Sequence, residues 1–101
     1  MPLVLSLREG DDFYVSEQQF SVDRIYDETS FDLVRGDAAG EVSEPIAVTE
    51  LQAVEIMPDV FVSAGNLFQK GIIRAVIDAP RDMLILRGDK YRSQETSGDH
   101  S

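Results

Sequence analysis

The stretch that decides the fold is IIRAVIDAPRDMLILR, residues 72–87. Residues 72–78 are apolar on both faces of an extended chain, which predicts a central strand that is covered on two sides. The next four residues, APRD at 79–82, are typical of a turn. Apolar residues return at 83–87 and predict a final strand, so the whole stretch favours a strand, a turn and a second strand in a mainly antiparallel β domain.

Alternation of apolar and polar residues extends this pattern to most of the chain. The predicted strands cover 3–7, 13–15, 20–26, 31–34 and 59–63, and turns are expected at 9–12 and 27–30. Phe20, Val22 and Tyr26 are expected to share one face of the third strand. Residues 35–44 predict a loop. No internal repeat is visible in the sequence.

Residues 45–57 fit two patterns. Ala47, Leu51 and Val54 would share one face of a helix, whereas Val54 and Ile56 would share one face of a strand. The helical spacing favours a short helix that leads into a strand. The sequence therefore predicts a β-rich segment that contains a short helix.

Composition excludes several functional classes. The 101 residues are 43% apolar, enough for one packed domain, and they include no cysteine and one histidine, His100. The lack of cysteine excludes a disulfide scaffold, a thiol nucleophile and a thiolate metal site, and a single histidine in a polar tail gives a Ser-His-Asp triad or a histidine metal site almost no basis. The adjacent acids at 11–12 and 27–28 lie in predicted turns, where acids are common for conformational reasons. We expect no enzyme, cofactor or metal, and the lack of a long apolar run predicts a soluble, cytoplasmic protein.

Charge is distributed unevenly along the chain. There are 19 acidic and 9 basic residues, a net charge of −10. Residues 1–69 carry a net charge of −11, whereas residues 70–92 carry a net charge of +3. The acidic balance opposes general attraction to nucleic acid or anionic membranes, but the basic segment could still bind phosphate locally.

Two segments resemble the carbon storage regulator (CsrA/RsmA) family of RNA-binding translational regulators. Residues 73–87, followed by Tyr91, are similar to that family's strand, Ala-Pro turn, strand and arginine, with a tyrosine four positions after the arginine. The opening LVLSLREGD at 3–11 resembles the family's first strand and its Gly-acid turn. The resemblance covers about 2–26 and 72–91, so 27–71 is interpreted as an insertion of net charge −7 and 93–101 as a flexible polar tail.

The resemblance implies one CsrA-like domain over 1–92 that forms an intertwined homodimer, with the first strand of one protomer beside the last strand of its partner. It also implies binding of single-stranded GGA-type sites in messenger or small RNA. Arg87 matches the principal RNA-contacting arginine, and Leu7 stands where the family has the first of two adjacent basic residues. The positions that match the family's RNA contacts are Leu5, Ser6, Arg8, Arg74, Ala79, Pro80, Arg81, Met83, Ile85 and Arg87.

Two functional hypotheses follow. The first is a post-transcriptional regulator that binds RNA, which Arg87 and the Ala79-Pro80 turn favour. The second is an acidic protein-interaction module that keeps the dimer architecture and uses the insertion to modulate another regulator or to bind a basic partner surface. The net charge and Leu7 favour this second hypothesis. Neither hypothesis involves a membrane.

Overall fold

The computed structural model describes residues 3–27, 29–36, 40–65 and 71–91. Within these residues the chain forms nine strands and a single helical turn at 88–91, which confirms the prediction of a mainly β, antiparallel protein. The strands are β1 (Leu3–Leu7), β2 (Asp12–Val15), β3 (Gln18–Asp27), β4 (Ser30–Gly36), β5 (Ile46–Thr49), β6 (Val54–Met57), β7 (Val60–Gly65), β8 (Ile73–Asp78) and β9 (Ile85–Arg87).

The strands are arranged in two antiparallel sheets. The four-stranded sheet has the order β1-β8-β7-β6, and the five-stranded sheet has the order β5-β4-β3-β2-β9. Both sheets contribute apolar side chains to one core, and exclusion of these side chains from water is the main stabilising contribution. The largest fully buried residues are Phe13, Phe20, Phe31, Leu7, Leu33, Ile73, Ile77, Val15, Val22, Val48, Val60 and Val62.

The central strand β8 is covered on one face rather than on two. It lies between β1 and β7, as its position in the predicted sheet requires. Ile73, Ala75 and Ile77 are fully buried, but Arg74 and Asp78 on the other face are exposed. The prediction of double coverage is wrong because the charged residues alternate with the buried ones, which a strand with one solvated face allows.

The third strand is predicted correctly except at its end. Phe20 and Val22 are buried, whereas Tyr26 is 58% exposed. The pairing of β3 with β4 shifts between Val22 and Arg24, and such a bulge turns the following residues to the opposite face. Ile25 therefore packs against the core in place of Tyr26. The Tyr26 hydroxyl donates to Asp32 Oδ2 at 2.6 Å, which raises the pKa of Tyr26.

The predicted helix within 45–57 is wrong. This segment forms β5 and β6, joined by a bend at 50–52 and by Ala53. β5 pairs with β4 so that Val48 lies opposite Phe31, and both side chains are fully buried. Burial of Val48 against the other sheet outweighs the weak helical spacing of this short segment.

The predicted turn after β3 is confirmed as a hairpin connection. Asp27 Oδ1 accepts hydrogen bonds from the backbone N–H and the hydroxyl of Thr29 and from the Ser30 hydroxyl, at 2.8–3.0 Å. These bonds favour the ionised carboxylate and lower the pKa of Asp27. The stabilisation is therefore present above the ordinary aspartate pKa and is lost as the pH falls through the lowered value. Glu28, which is also in the predicted turn, lies outside the described residues.

The segment interpreted as an insertion contributes directly to both sheets. β4 and β5 belong to the five-stranded sheet, and β6 and β7 to the four-stranded sheet. In the predicted loop 35–44, the first two residues extend β4, and residues 37–39 lie outside the described residues. The predicted tail at 93–101 also lies outside them. No helix in the described part of the chain is long and apolar enough to cross a membrane.

The strand pairing reveals a structural repeat that the sequence does not show. The first half, β1 to β4, and the second half, β5 to β8, each contain a hairpin of their second and third strands. The first strand of each half pairs with the fourth strand of the other half, as β1·β8 and β5·β4. The pairing expected between two protomers, of the first strand with the last, is not formed within the chain, because β1 pairs with β8 and β9 pairs with β2. The homodimer itself stays a prediction.

Candidate nucleic-acid interface

The predicted RNA-binding residues lie where an edge of one sheet meets an edge of the other. β1 is an edge of the four-stranded sheet, and β9 is an edge of the five-stranded sheet. We call the surface between these strands, with the 79–83 turn that leads into β9, the β1–β9 seam. β1 pairs with β8 alone among the described strands, so its other edge faces the seam.

Arg87 connects the two sheets across the seam. Its Nη1 donates a hydrogen bond to the Ser6 carbonyl oxygen at 2.6 Å. Its Nη2 lies 3.7 Å from Asp11 Oδ2, its Nε lies 3.7 Å from Asp89 Oδ1, and its side chain is 39% exposed. The guanidinium is thus positioned by one short hydrogen bond and two longer ion pairs, with donor capacity still available toward solvent.

The loop after β1 positions Asp11 beside Arg87. Asp11 Oδ2 accepts the Arg8 backbone N–H at 2.9 Å, and the Asp11 N–H donates to the Arg8 carbonyl at 3.0 Å. Gly10 adopts φ of +89°, which a glycine reaches without steric cost, and its N–H donates to the Val22 carbonyl on β3. The loop therefore holds Asp11 between its own sheet edge and β3.

Two grooves run along the seam. One, of about 380 Å³, is lined by Ser6, Arg8, Asp11, Ile72 and Arg87. The other, of about 350 Å³, lies between β1 and the turn and is lined by Leu3, Ala79, Pro80, Arg81, Met83 and Ile85. The turn is closed by a hydrogen bond from the Met83 N–H to the Pro80 carbonyl at 3.1 Å. The seam thus combines a charged groove with an adjacent groove of apolar character.

Eight of the ten residues that the sequence singled out line the two grooves, whereas Leu5 and Arg74 line neither. Arg74 lies on β8 directly opposite Ser6, and Arg8 and Arg81 are exposed at the two ends of the seam. In the part of the chain that the structure describes, Arg8, Arg74 and Arg81 form no ion pair. Four of the ten are also core residues, since Leu5, Ala79, Met83 and Ile85 are half-buried and pack against the hydrophobic cluster.

Sequence reasoning missed the acidic residues that control Arg87. The sequence pattern places Asp11 only in a predicted turn and assigns no role to Asp89. Both lie within 4 Å of the Arg87 guanidinium. The contact of Asp89 with Arg87 could have been predicted, because the two residues are only two positions apart in the sequence. Asp11 is 76 positions from Arg87, and nothing in the sequence indicates that the two residues are in contact.

The helical turn at 88–91 closes the end of β9 against β2. The ring of Tyr91 stacks on the ring of Tyr14, with centroids 3.8 Å apart and planes at 9°. Gly88 is buried at the start of this turn, and a Cβ at this position would overlap the Asp12 carboxylate. Asp12 Oδ2 accepts a hydrogen bond from Gln19 Nε2 at 2.7 Å, so the carboxylate cannot move aside without losing that bond.

We expect Gly88→Ala to destabilise the protein by about 1–3 kcal/mol, since overpacking at a buried site forces its neighbours to shift. Thermal unfolding followed by circular dichroism measures this effect. Lys90→Ala is the matched control, because Lys90 is exposed in the same helical turn and should change stability by less than about 0.5 kcal/mol. Equal effects of the two variants would show that Gly88 is not closely packed.

The described residues contain no group of three or more His, Cys, Asp or Glu side chains arranged to hold a metal ion. Comparison of the chain with protein-family models, curated proteins and solved structures finds no match. The resemblance to carbon storage regulators therefore stays a prediction that rests on the motifs at the two ends of the chain.

Proposed function

We propose that this protein is a post-transcriptional regulator that binds a short single-stranded RNA segment of the GGA type in the β1–β9 seam. The observation that carries the proposal is the seam itself, where Arg87 lies 2.6 Å from the Ser6 carbonyl of an open strand edge. Arg8 and Arg81 flank this point, and Arg74 lies opposite Ser6. This combination of exposed backbone and nearby guanidinium groups suits unstacked bases.

The backbone of β1 supplies part of the recognition. The Ser6 carbonyl points toward Arg87 and therefore away from β8. Along a strand of an antiparallel pair, every second residue points its backbone N–H and C=O away from the partner strand. Val4 lies two residues before Ser6, so it also presents its N–H and C=O to the seam. These groups can hydrogen-bond to base edges in the way that an added strand would.

The arginines and the apolar groove supply the rest. The planar guanidinium of Arg87 can donate two parallel hydrogen bonds to O6 and N7 of a guanine, while Arg8 and Arg81 contact phosphates. Leu3, Pro80 and Ile85 line the groove in which an unstacked base would pack. With two phosphates engaged, the logarithm of the affinity should fall against the logarithm of the salt concentration with a slope of about −1.4.

A titration of the full chain tests the proposal. A fluorescently labelled RNA hairpin with a single-stranded GGA loop is compared with the same hairpin carrying CCU in the loop, at 50 mM and at 200 mM salt. We expect tighter binding of the GGA loop and the shallow salt dependence given above. Equal affinity for both loops, or no binding at 50 mM salt, would contradict the proposal.

We expect Asp11→Asn to raise the affinity for the GGA-loop hairpin by about threefold to tenfold. The amide oxygen can still accept the Arg8 N–H, but the charge that competes with RNA for Arg87 is removed. The control is Glu44→Gln, because Glu44 is exposed and lies just before β5. In the five-stranded sheet, β5 is four strands away from β9, a distance of about 19 Å. This control should change the affinity by less than about twofold, because exposed charges beyond about 10 Å are screened at 0.1 M salt.

A second candidate function is an acidic protein-interaction module. The observation that favours it is the partial neutralisation of Arg87 by Asp11 and Asp89, together with the net charge of −10. A surface of this charge would favour a basic protein over RNA. Failure of Asp11→Asn to bind RNA at 50 mM salt, with a folded protein, would support this candidate over the first.

A further inference from the structure

The two halves of the chain are related by an approximate two-fold arrangement. Phe31 on β4 lies opposite Val48 on β5, and Ile73 on β8 lies opposite Leu7 on β1, with all four side chains fully buried. The hairpin turn between the second and third strands also repeats. Both turns have two residues, 16–17 and 58–59, although the residue with positive φ is the first one in the first half, Ser16 at 55°, and the second one in the second half, Asp59 at 66°.

One strand breaks this arrangement. β9 follows β8 and pairs with β2, the second strand of the first half. After β4 the chain continues directly to β5, so the first half contributes no strand equivalent to β9. Among the described strands, β7 alone pairs with β6, which is the second strand of the second half. The edge of β6 that corresponds to the β9-covered edge of β2 therefore lacks a partner within the described residues.

We infer that the outer edge of β6 binds an extended, basic and apolar strand of another protein, antiparallel to residues 54–57. This inference does not depend on RNA binding at the seam. β9 is the template for the occupant, because it covers the equivalent edge of β2 with the sequence Ile-Leu-Arg. An added strand gains main-chain hydrogen bonds from the edge and specificity from alternate side chains.

The surroundings of β6 match such a strand in charge and in polarity. Glu55 is exposed on β6, and Glu50 and Asp59 are exposed in the connections before and after it. These acids favour a basic residue on the incoming strand, since opposite charges on neighbouring strands stabilise the pair. Leu51, which is 89% exposed in the connection that precedes β6, offers an apolar contact.

A second copy of this chain is a poorer occupant than a basic strand. An antiparallel two-fold pairing centred on Glu55 would place two glutamates directly opposite each other, which destabilises a sheet. Each copy also carries a net charge of −10, which opposes self-association through an acidic edge. We therefore assign the edge to a different protein of basic character.

The test uses the peptide MLILRGDKY, residues 83–91 of this chain, as a probe for the full protein. Hydrogen–deuterium exchange is measured with and without the peptide. We expect saturable binding that slows exchange at 54–57 and leaves 12–15 unchanged, because β9 already covers β2. Fast exchange at 54–57 in the free protein is also expected, since an open edge exposes its amides.

Two controls separate strand addition from other binding. The Ser16 N–H donates to the Leu84 carbonyl, so alternation places Leu86 in a hydrogen-bonded pair with Tyr14. A peptide N-methylated at the residue equivalent to Leu86 should bind about fivefold more weakly, since a main-chain hydrogen bond is lost.

The protein variant Glu55→Gln should bind the peptide about threefold more weakly, while its amide oxygen can still accept the Asp59 N–H that Glu55 Oε2 accepts at 3.1 Å. Asp23→Asn, at an exposed position on β3, should bind as the wild type does. Slow exchange at 54–57 without peptide, protection at another edge, or equal binding of the N-methylated peptide would overturn the inference.

Discussion

Replacing Phe13 with alanine is expected to lower the free energy of unfolding by about 3–5 kcal/mol, the usual cost of removing a buried phenylalanine. Phe13 is fully buried on β2, and its ring stacks on Phe20 with centroids 5.6 Å apart. Domains of this size have a total stability of about 5–15 kcal/mol, so this loss would be a large fraction of the total. Urea denaturation followed by circular dichroism measures the loss.

Phe61→Ala is the matched control for this prediction. It removes the same atoms from β7, but Phe61 is 39% exposed on the outer face of the four-stranded sheet. Because this substitution removes less buried apolar area, we expect it to lower the free energy of unfolding by about 1 kcal/mol. Similar costs for the two variants would contradict a core that lies between the two sheets.

Arg87→Ala is expected to weaken binding of the GGA-loop hairpin by about 10-fold to 150-fold. This range corresponds to the loss of a charge-assisted contact worth about 1.5–3 kcal/mol. Arg87→Lys should recover part of the affinity, because it restores the charge but not the planar pair of donors. Fluorescence anisotropy at 50 mM salt measures both variants.

Arg24→Ala controls for the loss of a positive charge. Arg24 is exposed on β3, two strands from β9 in the same sheet. Its removal should weaken binding by less than about twofold, and thermal unfolding of each variant confirms that the fold is retained. If Arg24→Ala lowered the RNA affinity as much as Arg87→Ala does, RNA binding would depend on the overall charge of the protein and not on the seam.

Strand positions could be predicted from the sequence wherever burial is on one face. In a pleated strand every second side chain lies on the same face. This spacing predicted the strands that contain Leu3, Leu5 and Leu7 and that contain Phe20 and Val22, and both strands are confirmed. The same reasoning fails at Tyr26, because a bulge shifts the phase by one residue without a glycine or proline to mark it. It fails at 45–57 because a four-residue strand is too short to distinguish its period from that of a helix.

The assembly of the site depended on pairing that the sequence could not reveal. The motif at 73–87 identified β8, the turn and β9, and the segment at 3–8 identified β1. Their juxtaposition was expected between two protomers, since the first and last strands would otherwise leave apolar edges open. The two halves of the chain share burial at Leu7 and Val48 but few identical residues, so the repeat that pairs β1 with β8 within one chain is not visible in the sequence.

The most direct test of the central claim is to map the RNA on the protein. Amide chemical shifts of the full chain are recorded during addition of the GGA-loop hairpin. The account predicts that the largest changes fall at 4–8, at Arg74 and at 79–87, which form the β1–β9 seam and its flank. Changes centred on the acidic stretch 41–59, or no change at saturating RNA and 50 mM salt, would contradict it.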